Sequence, residues 1–227
     1  MEGLAREGAP LVEISRALIP PQFPNVAQAK LLLREGVRDP IVRALTTISI
    51  VEGFGAIIRD VALPDLAACV REPLEGTALA HLGGGLFEAH ARDEAGHRDE
   101  GGHKQMWEAA RDLALENPKI PGDVLMRIMG RRAAAPKRQR LLPQVDGKLE
   151  SLVATLVNVL VVEIFAESVF AWGLELLSDP EVSARPQEAG AMVSYIRSDE
   201  SPHVEYLRTA LSELRARSLV AADGGTV

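Results

Sequence analysis

The sequence predicts an all-α fold organised around four long helices. Three observations predict it. Apolar residues recur at helical spacing over long stretches, while period-two alternation rich in β-branched residues is scarce. Proline-centred breaks at Pro40, Pro64, Pro73, Pro118, Pro121, Pro180 and Pro186 cut the chain into segments of helical length. And the string Asp-Glu-x-x-His occurs once in each half, at Asp93 to His97 and at Asp199 to His203.

In chain order, Pro10, Pro20, Pro21 and Pro24 break the first segment into short pieces, with Val26 to Glu35 an amphipathic helix laid over the core. The first long helix runs from Asp39, an N-cap followed by Pro40 at the first helical position, to about Asp60. A short connecting helix lies between Pro64 and Pro73. The second long helix covers about Gly76 to Glu116, with Gly83-Gly84-Gly85 placed to interrupt it. The basic stretch from Arg131-Arg132 to Lys137-Arg138-Gln139-Arg140 reads as a solvated crossover beside a short helix. The third and fourth long helices span about Asp146 to Leu177 and Glu188 to Arg217. The expected organisation is therefore accessory helices over 1–38, a helical bundle over 39–217 and a frayed tail over 218–227.

Composition limits the function classes. The 25 Lys+Arg against 32 Asp+Glu leave a net charge of −7 and no dominant basic face, so no nucleic-acid partner is expected. Cys69 is the single cysteine, which excludes an internal disulfide and a thiolate metal cluster, so a metal would have to rest on Glu, Asp and His. The first ten residues carry Glu2, Arg6 and Glu7 rather than a basic start and an apolar run, and a cytoplasmic location is the default expectation. Leu152 to Phe170 is the longest apolar run. Asn158, Glu163 and Glu167 interrupt it, so it is expected to be a helix buried in protein and not a membrane span.

The charges inside apolar surroundings carry the chemistry. On one helix, residues three apart lie about 60° from each other, so Glu94 with His97, and Glu200 with His203, can each aim an oxygen and a nitrogen at one point. A single pair of this kind is weak evidence. Two further carboxylates strengthen it: Glu52 within Ile48 to Ile58, and Glu163 between Val159-Leu160-Val161-Val162 and Ile164-Phe165-Ala166. A carboxylate in such a setting needs a cation. Glu167, one turn on, can share or replace the role of Glu163. His90, four residues before Glu94, shares its face and is either a further ligand or a satisfied core histidine. His103 lies off that face and is read, like His81, as surface or crossover structure.

One Glu from each of two helices plus Glu-x-x-His from each of two others is the ligand set of di-iron and di-manganese carboxylate bundles. The chain resembles that ferritin-like superfamily over roughly residues 39 to 215, including the ribonucleotide reductase small subunit, aldehyde-deformylating oxygenases, rubrerythrins and multicomponent hydroxylases. The resemblance implies a ferritin-like four-helix bundle with extra N-terminal and crossover helices. It also implies six ligands: Glu52, Glu94, His97, Glu163, Glu200 and His203, with Glu94 and Glu200 bridging two iron (or manganese) ions. Val162-Glu163-Ile164-Phe165-Ala166 is similar to a helix segment of the aldehyde-deformylating oxygenases, which favours Glu163 over Glu167. The His90-x3-Glu94-x2-His97 string is similar to one in p-aminobenzoate-type N-oxygenases, where it lies in the other half of the bundle. Asp93 and Asp199 fall where family members hydrogen-bond a ligating imidazole, an exposed helix-face aspartate being the other reading. Pro202 and Gly96, with Gly101 and Gly102, depart from the common pattern and are expected to kink the helices or shift the ligand register.

The resemblance implies an oxygenase that uses O2, a small organic substrate and an external electron donor, in a homodimer. Hydroxylation, N-oxygenation and oxidative C–C cleavage are the candidate reactions. Ferroxidase, peroxidase or Mn-catalase chemistry is the competing class, and a metal-free helical interaction protein the third. Phe54, Phe87, Phe165, Phe170 and Trp172 are candidates to wall an apolar cavity beside Glu52, whose flanking Gly53 and Gly55 occupy no side-chain volume; ordinary core packing is the simpler reading of any one aromatic. Tyr206 lies three residues beyond His203.

Overall fold

Long apolar segments punctuated by proline become helices. The computed structural model describes residues 2–6, 8–15, 17, 23–133 and 139–227. Pro20 and Pro21 of the N-terminal breaks and Lys137-Arg138 of the basic crossover lie outside the described residues.

Helix α1 is Glu2–Arg6, and α2 is Val26–Arg34, capped by Asn25, whose Oδ1 accepts from the Gln28 N–H at 3.0 Å. Helix α3, Asp39–Glu52, begins with Pro40 in its first turn and stops at Gly53; a tighter turn of helix follows at Gly55–Asp60. After α4, Leu66–Cys69, the expected second long helix is broken twice. Helix α5, Ala78–His81, runs through a widened turn at Leu82–Leu86, where Gly85 (φ 163°, ψ −35°) leaves the helical path, into α6, Phe87–Ala95. A two-strand hairpin, β1 (Gly96–His97) and β2 (Glu100–Gly101), then separates α6 from α7, His103–Leu115. Helix α8 is Asp123–Ala133.

Helix α9, Gly147–Leu177, starts on Asp146, whose carboxylate accepts from the Lys148 and Leu149 N–H groups. Helix α10, Pro186–Arg215, runs continuously through Pro202. Packing joins α9 to α10, α10 to α7, α7 to α3, and α6 to the turn Gly55–Asp60. The tail does not fray. Val220 donates to Cys69 O at 2.9 Å, Ala222 to Gln144 O at 2.8 Å, and the Ser218 N–H and hydroxyl to the Glu72 carboxylate at 2.9 and 2.8 Å.

Two apolar cores form, and the helices pass from one to the other. The first gathers Phe87, Leu149, Leu152, Leu156, Leu160, Leu207 and Leu211. The second gathers Leu45, Trp107, Phe170, Leu176, Val193 and Ile196. On α9 the boundary falls between Leu160 and Ala166, and on α10 between Ile196 and Leu207. Glu163, Glu200 and His203 occupy that boundary.

Asp39–Asp60 and Gly147–Leu177 are long and apolar enough to cross a membrane by length and composition alone. Each also buries one carboxylate, Glu52 and Glu163, against the other helices.

Candidate metal centre

Seven ionisable side chains meet in the layer between the two cores: Glu52 from the end of α3, His90 and Glu94 from α6, His103 from the start of α7, Glu163 from α9, and Glu200 and His203 from α10. None is more than 8% exposed. They form two groups whose ligand atoms lie within 4.8 Å of one another, His90–Glu94–Glu163–His203 and Glu52–Glu94–His103–Glu200. Glu94 belongs to both. Either group could hold a metal ion.

His103 Nδ1 lies 3.1 Å from Glu200 Oε1, 3.3 Å from Glu94 Oε1 and 3.7 Å from Glu52 Oε2. His203 Nδ1 lies 3.3 Å from Glu200 Oε2, and His90 Nε2 lies 3.5 Å from Glu163 Oε1 and 3.7 Å from Glu94 Oε1. The outer nitrogens face other partners. His203 Nε2 meets Asp93 Oδ2 at 3.1 Å, His103 Nε2 lies 3.5 Å from Asp199 Oδ2, and His90 Nδ1 meets the Tyr206 hydroxyl at 3.0 Å. The His90 and His203 rings stack with centroids 3.8 Å apart.

These contacts cross over. The aspartate before Glu94 holds the histidine of α10, and the aspartate before Glu200 faces the histidine of α7. An outer carboxylate that takes the Nε2–H fixes the tautomer and leaves the Nδ1 lone pair turned inward. For His90 the same logic runs with the nitrogens exchanged: when Nδ1–H donates to the Tyr206 oxygen, Nε2 carries the free lone pair.

The sequence expectation placed His97 among the ligands, and the structure does not bring it there. Gly96 adopts φ +82°, in the left-handed region that ends a helix, so the chain leaves α6 and His97 is exposed on β1 opposite Glu100. His103, read from helical angle as surface or crossover, is fully buried instead. The reason is local. Residues 96–101 form an excursion, and a Cβ on Gly102 would stand 2.2 Å from Glu94 O and 2.4 Å from Ala95 C, so the chain returns to the point it left. With that excursion removed, Glu94-Ala95-Gly102-His103 has the spacing of Glu200-Ser201-Pro202-His203. The glycines at 96, 101 and 102 were the signal that could have revealed this.

Glu52, Glu94, Glu163, Glu200 and His203 lie where the spacing placed them, and His90 joins them. Glu167 does not: it is exposed and lies 4.0 Å from Arg197. Of the aromatic candidates, Phe165 and Phe170 line a groove beside Glu52, whereas Phe87 and Trp172 are packed into the two cores. Gly55 has a specific task, because a Cβ there would stand 2.4 Å from Glu94 Cδ.

The electrostatics call for a counter-charge. Burial, with Glu200 and Glu94 beside it, pushes Glu163 up to about 11, and burial raises Glu52 well above the ordinary carboxylate range. Burial opposes a charge on His103, but the Glu200 and Glu94 carboxylates outweigh it and raise the imidazole to about 11. Burial and the neighbouring His203 lower His90 to about 3. Burial alone would raise Glu200; contacts from His103, His203 and Glu163 hold it below the usual range. Even so, His90 Nε2, Glu94 Oε2, both nitrogens of His103 and Glu200 Oε1 are buried without a well-directed hydrogen bond. Each such atom costs about 1–3 kcal/mol unless something else satisfies it. Cations do so here. Carboxylate oxygens with imidazole nitrogens and no sulfur form a donor set for iron, manganese or zinc.

Comparison with protein-family models, with curated proteins and with solved structures finds no match.

Proposed function

We propose that the chain is a ferritin-like four-helix bundle holding two iron ions, and that it is an O2-activating oxygenase acting on a small organic substrate. One observation supports this above the others: four carboxylates and three imidazoles converge in one dry layer, in two groups that share Glu94. Two divalent cations would balance the four carboxylates, removing the need for the proton on Glu163 and the charge on His103. Glu52, Glu94, His103 and Glu200 would hold one ion, and His90, Glu94, Glu163 and His203 the other.

Bound iron would supply O2 reduction, with electrons from an external donor. The protein's own residues do the rest. Asp93 and Tyr206 fix which nitrogen of His203 and His90 faces inward, Asp199 faces His103 Nε2, Gly55 admits the Glu94 carboxylate, and the two apolar cores keep bulk water from the layer. Hydroxylation, N-oxygenation and oxidative C–C cleavage remain the candidate reactions.

The test is metal content and anomalous scattering at the iron and manganese edges, followed by O2 uptake with reductant by the Fe(II)-loaded protein. Two ions per chain and O2 uptake that rises with added organic substrate support the reading. One ion per chain, or zinc in a closed tetrahedron, defeats it. The competing reading, ferroxidase, peroxidase or Mn-catalase activity, predicts oxidant turnover by the loaded protein independent of any organic compound.

A further inference from the structure

A groove of about 280 Å³ opens between α3 and α9 and ends on the candidate metal centre. Ile48, Val51, Val162, Phe165 and Val169 wall it, and Glu52 is its one ionisable lining residue. Val162 is 49% exposed and Val51 is 38% exposed, while Glu52 is 8% exposed. The Thr47 hydroxyl, the other polar group in the lining, already donates to Arg43 O at 2.8 Å. The groove thus offers a molecule apolar walls, no free donor and no positive charge.

We infer that this groove is the substrate subsite, and that it takes a neutral molecule with an apolar body whose oxidisable end rests at Glu52. The inference rests on the two-metal reading for its chemistry and on the groove alone for its binding. Size sets an upper limit: at about 30 Å³ for each water-sized group, the space accepts a chain or fused ring of roughly nine heavy atoms. Charge sets the class. An anionic ligand would approach Glu52 without a cationic partner in the lining, and an ammonium group would lose hydration along apolar walls before reaching any counter-charge. A neutral alkyl or aryl compound meets neither cost. Glu52 lines the groove with its Oε2 3.7 Å from His103 Nδ1, so a molecule resting against Glu52 lies within one carboxylate of the proposed ions.

The probes are 1-octanol, octanoate and octylammonium, followed by ligand-observed NMR with the full chain loaded with Mn(II) or with diamagnetic Mg(II). The expected result is saturable octanol binding, at least about tenfold tighter than either charged probe, with octanol signals broadened by Mn(II) but not by Mg(II). Val162→Glu and Val51→Glu, at half-open wall positions next in sequence to Glu163 and Glu52, should weaken octanol about tenfold or more, with helicity and metal content measured alongside. Absence of octanol binding, or octanol binding by both variants as tight as by the parent chain, overturns the inference. So does a wild-type dimer that Val162→Glu dissociates without any octanol effect, because the face would then belong to a second copy. Octanol binding with no bound metal would keep the groove and defeat the proposed function; two ions with no octanol binding would do the reverse.

Discussion

Gly102 lies so close to the backbone of Glu94 that a Cβ there would stand 2.2 Å from the Glu94 carbonyl oxygen. The hairpin β1–β2 is therefore an insert that closes on itself, and helical spacing from Glu94 to His103 survives it. If so, the hairpin is dispensable for the ligand set. Removing residues 96–101 should yield a folded chain that binds the same number of metal ions as the parent. His103→Ala should lose an ion, and His97→Ala should bind metal as the parent does. Metal analysis after gel filtration checks all three, and a metal-free His97→Ala protein would contradict the assignment.

Gly55 and Glu94 give a second test. A methyl group at 55 would meet the Glu94 carboxylate at 2.4 to 2.6 Å, against a side chain shared by both ligand groups. Overpacking of this kind costs about 1–3 kcal/mol, and here the yielding part is a proposed ligand. Gly55→Ala should weaken metal binding while leaving the helical content intact. Gly84→Ala, which meets nothing within 4 Å, is the control. Equal metal affinity in the two variants would show that Glu94 has room to move.

Helix periodicity made the acidic half of the site legible and hid part of the nitrogen half. Glu52 and Glu163 lie in runs whose apolar neighbours fix the buried face, and the repeated Asp-Glu-x-x-His string marked Glu94 and Glu200. His97 and His103 could not be sorted that way, because the rule of three assumes an unbroken helix and Gly96 ends this one at φ +82°. Pro202 carried the opposite lesson: a residue that breaks many helices sits inside α10 and leaves Glu200 and His203 3.3 Å apart. The tail beyond Arg217 lacks helical signal, and only the positions of Cys69, Glu72 and Gln144 in three dimensions explain why it is held.

Asp93 and Asp199 differ in how closely they hold their imidazoles, 3.1 Å for Asp93 to His203 and 3.5 Å for Asp199 to His103. Replacing a carboxylate that orients a ligating imidazole lowers metal affinity by about 10- to 100-fold. Asp93→Asn should fall within that range, and Asp199→Asn should lose less. Competition with a chelator of known affinity ranks them, and an Asp199→Asn protein weaker than Asp93→Asn would reverse the geometric argument.

Tyr206 is half-buried beside His90, and loss of solvent around its phenol, with Glu163 and Glu94 nearby, raises it above the ordinary range, so it stays protonated at neutral pH. Tyr206→Phe removes the oxygen 3.0 Å from His90 Nδ1 and leaves the ring that packs edge-on against Phe87. The variant should fold and should bind metal more weakly at the His90 group, with the group containing His103 unaffected. Mn(II) titration followed by electron paramagnetic resonance separates the two, and loss of both ions together would tie Tyr206 to the fold rather than to His90.

The metal-free protein should lose stability on the alkaline side. Glu163 and His103 both hold protons up to about 11 in the folded chain, against ordinary values of 4.5 and 6.5. Between each ordinary value and about 11 the folded state binds more protons than the unfolded state, so stability falls as pH rises. His90, lowered from 6.5 to about 3, acts on the other arm: below 6.5 the unfolded state takes up a proton that the folded state refuses, and stability falls as pH drops toward 3. Metal uptake near pH 7 should therefore expel protons from Glu163 and His103, and it should flatten the alkaline loss. Calorimetric titration in buffers of different ionisation enthalpy counts the protons, and thermal melts from pH 7 to 10 with and without Mn(II) read the slope. A metal-free protein whose melting temperature climbs over that interval would mean that these two groups are not protonated in the folded chain.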